Sequence, residues 1–400
     1  MNLFSEQNKL ISLILVIVLL FPVLAVLMIP LNGTVYAGSN SEIEQEENWV
    51  KGILLIIVSY FINNFINRDS EEDRESTRID DGPIIDENST SEREVLGFYV
   101  NWITSYADSH ETLEENSQNI DMLAPFWYTL NSDGSIENRY GGHQYEATSL
   151  ASEENIKVLP LINNSQTDNM MLVDSEIREK AVDNIVDMIN DNNYDGINID
   201  FEYIPPWTRS GYTKFIEELS EKLDDDKILT ISVFPKIDVS QEMHEAFDYE
   251  ALAPHVDRVV IMTYDFHWST GPAGPIAPID WVENNIEYAL EYIPEDKLIM
   301  GVANYGYSWP SEGDEGQDIS AKEALSLAKE NEVEVNWDDS AKSSYFEYQD
   351  QNDSYEIWFE DSKSLEYKLD LVEKYDLKGI GIWRLGNSEP EFWEVISNKL

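Results

Sequence analysis

The sequence predicts an α/β protein whose folded part is a closed (β/α)8 barrel, and three observations carry that prediction. Eight short runs rich in β-branched and aromatic residues recur between about residues 95 and 385. Helical apolar periodicities fill the gaps between them. The 400 residues also leave room for a barrel of about 250 residues together with a leader.

In order, the strand candidates are Val95 to Trp102, Ile120 to Tyr128, Ile156 to Ile162, Tyr194 to Glu202, Ile228 to Pro235, Arg258 to Asp265, Lys297 to Tyr305 and Gly379 to Leu385. After the third, Ile177, Ala181, Ile185 and Ile189 recur every four residues, and after the fourth, Tyr212, Phe215, Leu219 and Leu223 recur at three or four. Each set forms one apolar stripe along a helix. Eight strands with intervening helices favour a closed barrel over an open sheet, whose strand count is usually lower. The connection from Gly306 to Lys378 departs from the rule, with a helix from Ile319 to Glu330 and strand-like runs from Ser344 to Tyr348 and Tyr355 to Phe359. It is expected to be a small α+β insertion, about residues 307–375, forming one wall of a cleft, because loops after barrel strands sit on the catalytic face.

Ahead of the barrel, Ile11 to Leu31 is apolar except for Ser12, Pro22 and Pro30, long enough to cross a bilayer of about 30 Å. Residues 1–37 therefore read as a signal peptide or membrane anchor, with small residues at Val35-Tyr-Ala37 where a signal peptidase would cut. Residues 38–92 hold a second apolar stretch, from Gly52 to Ile66, and then an acidic tether from Asn67 to about Glu92. The expected protein is exported, extracellular or in the cell envelope, with the membrane as a partner of its N-terminal segment and one monomeric catalytic domain over residues 93–400.

Seventy-eight acidic residues against 26 basic ones give a net charge of -52, which excludes nucleic acid as a partner. With no Cys, disulfides and thiolate chemistry are ruled out, and none of the five His falls in a metal-binding motif, so neither metal nor cofactor is expected. The 11 Trp, 21 Tyr and 14 Phe supply a core and also flat rings of the kind that line sugar-binding clefts.

Along the strand ending at Glu202, side chains alternate, so Asn198, Asp200 and Glu202 share one face. Three polar groups on one face of an apolar strand must either hydrogen-bond one another in a structural network or face a cleft, since burying them unpaired would cost several kcal/mol. The pattern Asp195-x-x-Asn198-x-Asp200-x-Glu202 resembles the signature of glycoside hydrolase family 18, the chitinases and their relatives. Met262-Thr-Tyr-Asp265 resembles the family's sixth-strand motif, Gly97 to Trp102 its first strand, Gly301 to Gly306 its seventh, and Trp383 the tryptophan closing its eighth. Through Tyr264-Asp-Phe-His-Trp268 and Gly271-Pro-Ala-Gly-Pro275, the chain is similar to a bacterial branch linked with spore germination and cortex peptidoglycan.

The resemblance implies hydrolysis of β-1,4 bonds next to N-acetylglucosamine, with retention, in a polysaccharide substrate, the substrate's own acetamido oxygen serving as nucleophile. Glu202 would be the acid, its pKa raised by a closed site and by Asp200 two residues away. Asp200 would hold the acetamido N–H and stabilise the positive ring, and Tyr264 would hydrogen-bond the acetamido oxygen. Asp265 and Met262 would touch the sugar, Trp383 would be its floor, and Trp102 and Tyr305 further walls. Asn198 occupies the place usually held by a second aspartate and is expected to hydrogen-bond Asp200 without sharing a proton. The alternatives are a non-catalytic lectin on the same barrel, which would typically lack Glu202, and a tethered structural protein of the spore envelope. The scattered acidic residues read as a solvated surface suited to salty or alkaline surroundings. Thermal stability is therefore expected to rise in molar salt, and a melting temperature equal with and without salt would overturn that reading.

Overall fold

The computed structural model describes residues 93–100, 109–139, 141–165, 169–311, 315–350, 353–386 and 388–400. The leader, the second apolar stretch, the tether and Trp102 lie outside the described residues. The chain runs through β1 (Glu94–Tyr99), β2 (Met122–Leu130), β3 (Ile136–Asn138), β4 (Lys157–Val158), β5 (Leu161–Asn164), β6 (Gly196–Asp200), β7 (Ile228–Val233), β8 (Arg258–Ile261) and β9 (Leu298–Ala303). A second sheet follows, β10 (Tyr305–Pro310), β11 (Gln317–Ser320), β12 (Asn336–Asp338), β13 (Ser343–Asp350) and β14 (Asp353–Phe359), before β15 (Gly379–Trp383) returns to the first.

Parallel pairing runs from β1 through β2, β5, β6, β7, β8, β9 and β15, and β15 pairs with β1 again, so the ring is closed. The fold is a (β/α)8 TIM barrel. Alternation along the strands sorts its side chains. Ile197 and Ile199 of β6 point outward into the layer of helices, as do Val259 and Ile261 of β8. Leu96, Phe98, Met122, Ala124, Leu159, Leu161, Val260 and Ile299 pack together as a second cluster inside the ring.

The helix Ser175–Asn192 starts where the Asp174 carboxylate accepts from the backbone N–H groups of Glu176 and Ile177, and stops at Asn193 in the left-handed region, φ 55°. Its buried stripe contains Ala181, Ile185 and Ile189 as the spacing predicts. The helix Arg209–Lys222 buries Tyr212, Phe215 and Leu219, but Leu223 is already extended, one residue short of the expected stripe.

The third strand is two pieces rather than one, because Pro160 lies between β4 and β5 and has no N–H to give the ladder. Its carbonyl still accepts from the Asn198 N–H at 3.0 Å. The expected sixth strand also ends early. Thr263 N–H turns back to the Ile261 carbonyl at 2.9 Å and Asp265 takes φ 58°, so Met262 to Asp265 form the loop at the end of β8. Likewise Tyr305, expected to close the seventh strand, opens β10 of the insertion instead.

The insertion is a five-stranded antiparallel sheet in the order β11-β10-β14-β13-β12, richer than the two strands expected. Its helix, Ala321–Glu330, has a capping box between Ser320 and Glu323. Ala321, Ala324 and Ala328 let that helix lie close over Phe346, Ile357 and Phe359. Ile276, Ala303, Tyr305, Trp309 and Trp358 form the seam between sheet and barrel. Where the chain leaves the insertion, Lys368 Nζ donates to Glu360 at 2.6 Å, both side chains being only 1% exposed, and Ser343 donates to the other Glu360 oxygen at 3.2 Å. An ion pair buried this deeply tolerates the loss of both charges better than the loss of one. Lys368→Met alone should lower unfolding stability by roughly 3–5 kcal/mol. Denaturant titration should also show Lys368→Met with Glu360→Leu recovering much of that loss.

Candidate active site

The site is assembled at the carboxyl ends of the barrel strands, in a cleft of about 550 Å³. Asp200, Glu202, Met262, Tyr264, Asp265 and Trp383 all line it. Asn198 lies beneath it, fully buried. Tyr305 is buried behind Asp265, and the side chain from the insertion that reaches the cleft is Tyr307.

Local packing explains how Glu202 comes to face the cleft. Phe201 turns outward, is fully buried, and stacks on Phe215 at 5.3 Å and against Tyr212 at 5.8 Å. Its neighbour on the strand therefore turns inward. The backbone is then clamped, for Asn164 at the end of β5 accepts from the Glu202 N–H at 2.8 Å and donates to the Glu202 carbonyl at 3.1 Å. Asn164 was not among the sequence candidates. The only available signal was a pair of asparagines following the apolar third strand.

Asp200 is 5% exposed, and its Oδ1 is buried without a partner. Burial pushes its carboxyl up to about 7, with the nearby Ser232 hydroxyl partly opposing. Glu202 is pushed up to about 8, first by burial, then by the nearby charges of Asp200 and Asp265. The two titrate as an interacting pair, so both values belong to the pair. Asn198 does not make the expected hydrogen bond to Asp200. Its amide donates to Thr230 Oγ1 at 2.8 Å and accepts from Ser232 Oγ at 3.3 Å, because β7 places two hydroxyls on the same inward face.

Asp265 Oδ1 accepts from Tyr305 at 2.6 Å and from Tyr307 at 3.2 Å. Burial raises its carboxyl nonetheless, with the two phenols acting in the opposite direction. The Tyr264 ring enters because position 301 is glycine. A Cβ there would stand 2.6 Å from the Ile261 carbonyl and 2.9 Å from that ring. Trp383 lies edge-on to Phe98 at 5.5 Å. The chain beyond Trp383 is fastened by Asn304, whose side chain accepts from the Arg384 N–H at 3.2 Å and whose own N–H donates to the Trp383 carbonyl at 3.3 Å. Tyr203 and Trp268 stand exposed at the rim.

Among the described residues no cation lines the cleft. Lys236, just after β7, donates to the carbonyls of His244 and Phe247, and Arg384 pairs with Asp318 at 3.0 Å. The site is thus a proton-holding carboxylate pair in an aromatic, anionic cleft, which is what protonating a glycosidic oxygen requires.

Barrel and site together define a glycosidase. The chain belongs to the glycosyl hydrolases family 18, whose sequence pattern matches residues 85–388. It is 30% identical over 266 residues to the cortical fragment-lytic enzyme of Bacillus subtilis (strain 168), covering 63% of this chain and 62% of the relative. It is 32% identical over 297 residues to the Bacillus cereus enzyme of the same name, covering 69% and 67%. The crystal structure of the Bacillus cereus spore cortex-lytic enzyme SleL superposes with a TM-score of 0.72 at 26% identity, covering 77% of this chain and 74% of that one. The chain thus spans a little under two thirds of the length of the Bacillus subtilis relative.

Because Glu202 binds its proton more tightly when folded, it lowers stability as pH rises from its ordinary value of 4.5 through about 8, and costs nothing below that range. Glu202→Gln stays neutral throughout. The variant should melt at a higher temperature than wild type at pH 8.5 and at nearly the same temperature at pH 4.5, as measured by calorimetry.

Proposed function

We propose that this chain hydrolyses β-1,4 bonds next to N-acetylglucosamine in peptidoglycan or chitin-like glycans, with retention, through the substrate's own acetamido group. The observation that carries the reading is the pair at the end of β6. Burial and the charges of Asp200 and Asp265 push the Glu202 carboxyl up to about 8, and Asp200, with its Oδ1 buried and unpartnered, lines the same cleft.

In this mechanism Glu202 gives its proton to the glycosidic oxygen as the bond to the anomeric carbon breaks, and the acetamido oxygen closes on that carbon. The Asp200 carboxylate accepts the acetamido N–H and stabilises the positive charge, while the Tyr264 hydroxyl donates to the acetamido oxygen. Water then opens the ring, and the Glu202 carboxylate takes its proton. Trp383 supplies the floor under the distorted sugar, and Asp265, oriented by Tyr305 and Tyr307, holds a hydroxyl near the scissile bond. Asp200, Glu202, Asp238 and Asp265, with no facing cation among the described residues, favour an uncharged sugar at the reacting position. The names of the Bacillus relatives support cortex glycan as the polymer. They also support export, for which the apolar run of residues 11–31 is the candidate signal.

The decisive experiment incubates the purified protein, and its Glu202→Gln variant, with chitin oligomers and with cortex and vegetative peptidoglycan, identifying products by mass and the first-formed anomer by NMR. Wild type should release fragments ending in reducing N-acetylglucosamine, first as the β-anomer, and the variant should be slower by roughly 10²–10⁴-fold. The wild-type rate should decline on the alkaline side near pH 8, where Glu202 loses its proton. Binding without cleavage by both proteins would replace the hydrolase with a lectin.

A further inference from the structure

Asp200 sits between two strands, and its neighbour across the ladder is not a carboxylate. The register of β6 on β7 pairs Asn198 with Thr230 and Ile199 with Ile231, so one step further sets Asp200 beside Ser232. Adjacent strands lie about 4.8 Å apart, and both side chains point into the barrel and line the cleft. Ser232 is 1% exposed, so no bulk water competes for its hydroxyl.

The hydrogen-bond inventory around that hydroxyl is tight. Thr230 Oγ1 donates to the Ile197 carbonyl at 3.3 Å and therefore accepts from Asn198 Nδ2 at 2.8 Å. That fixes the amide with Oδ1 toward Ser232, at 3.3 Å. Asn198 can neither take nor release a proton. Ser232 has one proton to give and two lone pairs, with an amide oxygen on one side and Asp200 on the other.

We propose that Ser232 is the positioning residue for Asp200: its hydroxyl rotates between Asn198 Oδ1 and the Asp200 carboxyl, holding Asp200 in place both charged and protonated. When Asp200 is charged, the hydroxyl donates to it, since a bond to a carboxylate is roughly twice as strong as one to an amide oxygen. When Asp200 is protonated, the acid donates to Ser232 Oγ, and the Ser232 proton turns to Asn198, the one of these two bonds that the structure contains. Ser232 keeps its own proton in both states, and the proton given up on ionisation is the one Asp200 carried. The titratable groups facing Asp200 are Glu202 from its own strand, Tyr264 and Asp265 from the loop after β8, and Tyr212 from the helix Arg209–Lys222. None of these is a cation, so the Ser232 hydroxyl is the group that favours the charged form. The consequence for turnover rests on the hydrolase reading above; the consequence for the ionisation of Asp200 does not.

The test compares wild type with Ser232→Ala, Ser232→Cys and Ser232→Thr, following the pH profile of kcat/KM on a chitin oligomer. In parallel, it follows the infrared carboxyl band assigned to Asp200 by difference from Asp200→Asn. Losing one hydrogen bond to a charged group should move the acid limb, and the infrared midpoint, up by about one pH unit in the alanine variant. The cysteine, of similar size and a weaker donor, should move them part of the way, and the threonine should bring them back. A uniform fall in rate with unmoved limb and midpoint would reduce Ser232 to a packing residue and overturn the proposal. If the alanine variant does not fold, the cysteine variant decides. If wild type cleaves no glycan, the hydrolase reading falls, while the infrared titration still judges the role of Ser232.

Discussion

Two carboxyl groups two residues apart, buried at the end of one strand without a cation between them, are the constraint to which the rest of the molecule answers. In water neither Asp200 nor Glu202 would hold a proton near neutrality; inside the cleft, desolvation and mutual repulsion make at least one of them do so. That arrangement costs stability. It persists because the barrel around it is closed and the strand carrying it is hydrogen-bonded on both sides.

Much of the neighbouring sequence serves to keep that strand end from relaxing. Asn164 spans the backbone of Glu202 from β5, Phe201 anchors the opposite face among Phe215 and Tyr212, and Thr230 and Ser232 occupy the hydrogen-bonding capacity of Asn198. On the far side, a glycine at 301 admits Tyr264, and two phenols hold Asp265. Each is a single small commitment, and together they leave the Glu202 carboxyl little freedom to turn away from the cleft.

The barrel was legible because period-two and period-four patterns are local properties of the chain. β6, the helices Ser175–Asn192 and Arg209–Lys222, and the polar face through Asn198, Asp200 and Glu202 can all be read from spacing alone. Asn164, Asn304, Ser232 and Tyr307 could not. Their partners lie between 34 and about 80 residues away, and their roles depend on strand register, which no single segment encodes. The same blindness produced the expected hydrogen bond between Asn198 and Asp200. They are two apart on one strand, but the hydroxyls of β7 are nearer in the direction that counts. The apolar run places Tyr305 in a barrel strand because β9 and β10 are separated by one residue, Asn304, too short a break for such a run to reveal.

That one-residue junction has an evolutionary corollary. The insertion departs from the barrel at Asn304 and rejoins it after the ion pair of Glu360 with Lys368, so the chain crosses between the two at two points while the seam through Trp309 and Trp358 packs them together. With only two crossings, such an insertion could change in length among descendants while the order of the eight strands stayed put. Such a change would not be free, however. Asp265 takes both of its phenolic donors from β10, so any replacement module must bring two hydroxyls of its own to the same oxygen.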